Sequence, residues 1–474
     1  MKKKLLAILL VAALVLSAFG LMACGNEPSA PADPPADATG DTNDDDDNGD
    51  PPEPVEVGDR LVINLWSFTD EVPNMVVRYK ELNPDFAARY HVNVTVISTT
   101  DGLYEPALDQ ALVAGGSDAP DIFTAEAAFV LKYTQGDMAD FALPYAELGI
   151  DIYNLIESSQ IAPYTVEIGT RPSDNQIVGL GFQATGGALI YRRSIAQEVW
   201  GTDDPEAVRN HVGPGWGQFM AAAQEMADAG YSMVSGAGDL WQVVRNTGDN
   251  PWIVDGYLHI DPLREGFMTM HRQLYEGGFM NDTSAWSDAW FADMSGQGAR
   301  EVFCFLGPAW LINYVMAGNA GDTYGDWAIT VPPTGFFWGG TWVIANAYGN
   351  PEVRGGVAEL IEWITLDSSD TGLQYHWANG TLFADNPTKD VVGSGAVMDR
   401  SDGTVAFLAG QDMFDIFIPA GEYATGRVLT QFDQTINEFF MDQSELYAIG
   451  EKTLEEALAD FRQMVYDNLG IPSR

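Results

Sequence analysis

The residues best suited to chemistry in this 474-residue chain are aromatic. Of thirteen tryptophans, Trp66, Trp252, Trp286, Trp290, Trp310, Trp338 and Trp342 flank Gly, Pro, Asn or Ser, which are turn formers. Three local mixtures place an indole beside carboxylates, amides and backbone donors: Trp66-Ser-Phe-Thr-Asp-Glu71, Asn250-Pro-Trp252 and Trp338-Gly-Gly-Thr-Trp342. A sugar ring has an apolar C–H face and an edge of hydroxyls. It therefore asks for an aromatic platform next to hydrogen-bonding groups. The spacing points to a saccharide site that uses some of these tryptophans, the others packing in the core.

Other chemistries find little support. There is no G-x-S-x-G elbow, H-E-x-x-H pair, phosphate-binding P-loop or C-x-x-C. Gly179-Leu-Gly181 lacks the last glycine of a dinucleotide fingerprint, Cys304 sits in an apolar strand, and the five histidines have no partner spacing. No cofactor or metal is expected. Carboxylates are too numerous to dismiss, so a glycoside hydrolase using two acids such as Glu71 and Glu126 stays open. A peptide or polyamine binder also stays open, because a cationic ligand suits an acidic body.

The elements that must position these residues alternate. Arg60–Phe68 reads as an apolar strand, followed by a helix that Thr69 or Asp70 can cap, with Met75, Val76, Tyr79 and Leu82 at helical spacing. A strand at Val92–Ile97, a helix at Leu103–Ala114, a short strand at Pro120–Phe123 and a helix at Ala125–Tyr133 follow. This order implies a parallel sheet covered by helices, with ligand at the carboxyl ends of its strands. Those ends carry Trp66, Phe68, Glu71, Thr124 and Glu126. Strands are predicted again at 177–182, 187–191, 302–306, 327–331 and 341–345, with a helix-rich stretch among them. Thr453-Leu-Glu-Glu456 opens the last helix as a capping box. The pattern is α/β, in two lobes joined by more than one crossing segment.

The N-terminus reads as an export leader. Lys2, Lys3 and Lys4 precede an apolar run from Leu5 to Met22, and Leu21-Met22-Ala23-Cys24-Gly25 resembles a bacterial lipobox. Residues 1–23 are then a lipoprotein signal peptide and Cys24 the lipidated anchor. An uncleaved membrane helix and plain secretion are the alternatives. Residues 24–58, rich in Pro and Asp and without aromatics, form an acidic tether that reaches roughly 30 Å. The formal charge of −45 excludes nucleic acid as a partner. Residues 59–474 keep 57 acids and 20 bases, so the body is itself acidic.

Taken in order, several segments resemble the extracellular solute-binding proteins of bacterial ABC importers, in their carbohydrate-binding family 1. They are Leu65-Trp-Ser-Phe-Thr-Asp-Glu71, Ala119-Pro-Asp-Ile122, Gly181-Phe-Gln-Ala-Thr-Gly-Gly187 and Tyr191-Arg-Arg-Ser-Ile195. Gly201-Thr-Asp-Asp-Pro-Glu206, Asn250-Pro-Trp252, Trp286-Ser-Asp-Ala-Trp-Phe291, Gly307-Pro-Ala-Trp310 and Phe336-Phe-Trp-Gly-Gly340 continue the series. The resemblance runs from about Leu61 to Leu469. It implies a two-lobed periplasmic-binding-protein-like fold of type II, with hinge strands and a central ligand cleft, no enzymatic activity, and a monomer that serves a membrane permease. It also implies that Trp66, Glu71, Glu126, Trp310, Trp338 and Gly340 face the ligand, with Trp252 and Trp286 as further candidates.

Overall fold

The computed structural model describes residues 57–99, 102–384 and 387–474. The segments expected to be the signal peptide, the lipidated Cys24 and nearly all of the tether lie outside the described residues. Two sheets organise the remainder. In the first, β2 (Tyr90–Val96), β1 (Leu61–Ser67) and β3 (Ile122–Glu126) run parallel. The late strand β8 (Thr341–Ala345) adds antiparallel to β3, and β4 (Gly179–Gly181) adds antiparallel to β8. In the second, β5 (Ala188–Arg192) lies between β6 (Cys304–Gly307) and β7 (Trp327–Thr330), antiparallel to both. β5 and β8 are buried along their whole length, as strands covered on both faces must be.

Each sheet has its own core. One side of the first sheet packs Ile63 and Leu65 against Met75 and Leu360, and the other packs Phe123 with Tyr104, Phe129 and Tyr133. The second core gathers Ile190, Phe305 and Ile329 with residues as distant as Phe440 and Phe461. The helix Asp433–Ala448 packs on Pro262–Gly277 and on the last helix, Leu454–Leu469. Thr453 Oγ1 accepts from Glu456 N at 3.2 Å and the Glu456 carboxylate accepts from Thr453 N at 2.9 Å, the expected capping box. Cys304 is enclosed in its strand, as expected.

The chain crosses between the sheets at residues 182–187, 331–340 and near 390. These crossings bond to one another: Ala184 N donates to Val391 O at 3.0 Å, Gly187 N to Phe336 O at 2.9 Å and Trp338 N to Thr185 O at 3.0 Å. Three short extended segments side by side thus hold two independent cores together.

Two local expectations are corrected. The helix expected over Ala125–Tyr133 is confined to Val130–Thr134, because β3 continues to Glu126 to pair with Thr341. Sheet pairing overrides the helical preference of the alanines there. The helix Glu71–Leu82 begins at Glu71, but Asp70 makes no side-chain capping bond.

The structure does not bring Trp252 to a ligand-facing surface. It is fully enclosed, its Nε1 donates to Asn437 Oδ1 at 2.9 Å, and the Arg264 guanidinium covers one face at 4.3 Å. Phe440 and Phe461 complete the enclosure. Asn250 and Pro251 bend the chain into the core, not away from it. Trp290 and Trp342 are equally enclosed. Truncating a buried indole costs about 3–5 kcal/mol. Trp252→Ala is therefore expected to lower the unfolding free energy by about that much, read from the urea midpoint.

Candidate functional site

Three tryptophans meet where the second sheet joins the return crossing. Trp310 follows β6 through Gly307-Pro-Ala, and Trp338 lies on residues 331–340. Their rings are 4.7 Å apart, edge to face, and Trp310 Nε1 donates to Trp338 O at 3.2 Å. Trp286 lies parallel to Trp310, with centroids 6.2 Å apart and planes within 7°. Trp338 is almost covered, Trp310 partly open, and Trp286 is 48% exposed. Trp286 thus carries the covered aromatic stack of Trp338 and Trp310 out to the surface.

Trp286 is held there against its own backbone preference. Its φ is +69°, in the left-handed region that side chains other than glycine seldom occupy. Its neighbours impose this. Ser287 Oγ caps the next helix by accepting from Trp290 N at 3.2 Å, and Trp290 Nε1 donates to the buried Asp239 at 3.1 Å. Asp293, on the same short helix Asp288–Met294, accepts hydrogen bonds from Ser235 and Asn281.

The first sheet contributes Glu126, at the end of β3. Its Oε2 accepts from Ala128 N at 2.8 Å, and Ala127 N donates to Gly340 O at 3.2 Å. Gly339 and Gly340 have φ of +73° and +111°, which only glycine adopts readily. A Cβ on Gly339 would lie 3.4 Å from Glu126 Oε1 and 3.5 Å from the Trp310 indole. Thr185 Oγ1 donates to Gly339 O at 2.9 Å and fixes the turn. Gly340 thus shapes the backbone and offers no side chain. Burial raises the Glu126 pKa, while backbone N–H donors and the Arg245 charge oppose the rise.

Glu71 belongs to a second polar group at the crossings. Gln183 Nε2 lies 3.2 Å from both Glu71 Oε1 and Asp390 Oδ2, so one amide serves two carboxyls. Burial, then the Asp390 charge, then Asp70 push Glu71 up to about 8, and burial pushes Asp390 up to about 7. Tyr314, on the π-helical turn Leu311–Met316 of the second sheet's side, is exposed and close enough to feel Asp70 and Glu71. The charges that act on Glu71 are Asp390 and Asp70, and the charge that acts on Glu126 is Arg245. Trp66 is half buried at the end of β1, packed on the Phe68 and Tyr104 side, with no ring contact to the three tryptophans.

Sequence reasoning passed over Asp390, Arg245 and Tyr314, which carry no motif and which only the tertiary contacts mark; Gln183 lay inside the Gly181–Gly187 segment but was not singled out.

The chain belongs to the bacterial extracellular solute-binding proteins: the sequence profile of that family matches residues 81–400. The family is one of solute-binding proteins rather than enzymes. No curated protein is significantly similar in sequence. Among solved structures, an extracellular solute-binding protein family 1 is 19% identical with a TM-score of 0.68, covering 85% of this chain and 98% of its own. The galacto-N-biose-/lacto-N-biose I-binding protein of the ABC transporter from Bifidobacterium longum, in complex with lacto-N-biose, is 14% identical at 0.63, covering 88% and 100%. The maltose-bound MalE3 of T. maritima is 15% identical at 0.59, covering 86% and 99%. At these identities the likeness establishes the two-lobed fold, as the sequence implied. No helix among the described residues is long and apolar enough to cross a membrane.

The raised carboxyls give a pH signature. Above pH about 4.5 an unfolded chain has released the Glu71 proton, whereas the folded protein keeps it to about 8. Folded protein thus binds more protons across that window, and stability falls as pH rises through it. Glu71→Gln is expected to flatten this decline: equal to wild type near pH 4.5, more stable by several degrees in Tm at pH 8. Thermal melts at the two pH values check it.

Proposed function

We propose that this chain captures a sugar or oligosaccharide outside the cell membrane and delivers it to the permease of an ABC importer. The observation that carries this reading is the half-exposed Trp286 parallel to Trp310, with Glu126 of the other sheet and Trp310 both touching the space at Gly339. A pyranose would lay its C–H face on these indoles, while acids and amides take its hydroxyls. The family supplies the transport role, and structural neighbours were solved with lacto-N-biose and maltose bound.

In this reading the crossings act as a hinge, and rotation of the two lobes closes a central cleft over the ligand. Residues 59–474 are the binding domain, divided into two discontinuous lobes. Residues 1–23 are removed on export, Cys24 carries the lipid, and residues 25–58 give a monomeric receptor its reach. Two acyl chains suffice for stable anchoring. Trp66, Glu71, Glu126, Trp286, Trp310 and Trp338 line the cleft, and Gly340 shapes it.

Trp286 is exposed, so its removal leaves the fold intact. Trp286→Ala and Trp310→Ala are each expected to raise the saccharide Kd by about tenfold, or ~1.4 kcal/mol. Calorimetry with a disaccharide that binds the wild type checks this. Unchanged affinity in both variants contradicts the assignment.

A further inference from the structure

Residues 421–431 leave the second core and return to it. The chain arrives from the short helix Phe414–Ala420, whose Phe414 and Phe417 pack there, and departs into the helix Asp433–Ala448, whose Ile436 and Phe440 do the same. Arg264 Nη2 also donates to Val428 O at 3.5 Å, from the second lobe's side. Between these anchors the segment lies on the lobe built around the first sheet. Ala424 and Leu429 pack against the core of Phe123 and Tyr133. Gln431 Oε1 accepts from Asp137 N at 3.0 Å, and Glu167 Oε2 accepts from Gly426 N at 3.1 Å. The start of the segment also touches two crossings. A Cβ on Gly186 would overlap the Ala420 carbonyl carbon, and one on Gly335 would overlap the Tyr423 ring. Neither glycine has a positive φ, so it is the close approach and not the backbone conformation that asks for it.

We infer that residues 421–431 form a strap that holds the lobes in the arrangement described here and must release the first lobe before they can rotate to close. The strap is a continuous part of the second lobe, whereas its hold on the first is two hydrogen bonds and two small apolar contacts. Stretching a 3.0 Å bond by ~0.6 Å ends it, so the bonds at Asp137 and Gly426 cannot survive a rotation of one lobe against the other. In the held arrangement Trp286 is 48% exposed, so the strap favours a form in which that indole is open to ligand. A site that closes only when the strap lets go has its apparent Kd raised by the inverse of the released fraction. The strap thereby tunes affinity without touching the ligand. The inference rests on the lobe closure read above and adds the segment that sets its equilibrium.

The test uses the chain from residue 24 onward with Cys24→Ser, so that no lipid is attached. Ser158→Cys on the first lobe and Ala221→Cys on the second, both exposed, carry a dye pair, and the buried Cys304 stays unlabelled. Single-molecule energy transfer is measured without ligand on the wild type, on Gln431→Ala, on Glu167→Ala with Gln431→Ala, and on Arg427→Ala. Arg427 Nε donates to Thr425 Oγ1 within the strap, so its removal serves as the control. One distance is expected for the wild type and the control, and a second population for the double variant, with Gln431→Ala between them. The disaccharide used is whichever of maltose, β-1,6-galactobiose and lacto-N-biose raises the wild-type Tm. It is expected to bring every protein to that second distance, and to bind the double variant about fivefold more tightly. If the ligand-free distances of the double variant match those of the wild type, the strap does not hold the lobes and the inference is wrong. If the double variant melts several degrees lower with distances and affinity unchanged, these contacts are ordinary packing and the inference is equally wrong. If no disaccharide binds the wild type, the saccharide reading fails by itself, and the ligand-free distances still decide the strap.

Discussion

The close approach at Gly339 is the constraint on which the rest of the site depends. With φ of +73° and no side chain, this residue lets the return crossing pass between Glu126 of one sheet and Trp310 of the other. Thr185 on the outgoing crossing holds the turn in place through its hydroxyl, and Trp338 N bonds back to the Thr185 carbonyl. Two crossings are thus fastened together where the two lobes bring their functional groups. A side chain at Gly339 would be strained by the positive φ, with its Cβ in ordinary contact with both the carboxylate and the indole.

From that turn outward the molecule divides its work. The buried tryptophans make stability: Trp252 under Arg264 and Trp342 on a strand of the first sheet, packed into its core. The exposed and half-exposed ones keep a face free. Trp286 shows the difference most plainly, since its backbone strain is maintained by capping and by the buried Asp239 and Asp293. Strain that the surroundings must over-determine is characteristic of positions kept for function.

Much of this was legible in the sequence. The alternation of strands and helices, the existence of the late strand Thr341–Ala345 though not its place in the first sheet, the capping box at Thr453 and the Trp338-Gly-Gly turn all follow from local pattern. Trp252 did not, because Asn and Pro before an indole signal a turn but not its direction. Its partner Asn437 lies 185 residues away. Glu126 was placed correctly at a strand end, yet the strand's extent was set by Thr341, which no local pattern reveals. Arg245 sits at the end of an amphipathic helix where polar residues ordinarily meet water, and only the fold shows that its Nε is buried.

The central claim is that a saccharide is held between the lobes, stacked on the indoles and read by polar groups from both sides. A crystal structure grown with the disaccharide that most stabilises the protein tests it directly. The account predicts a sugar ring face on Trp286 or Trp310, with its hydroxyls within hydrogen-bond distance of Glu126. A sugar bound elsewhere, with the three tryptophans untouched, would contradict it.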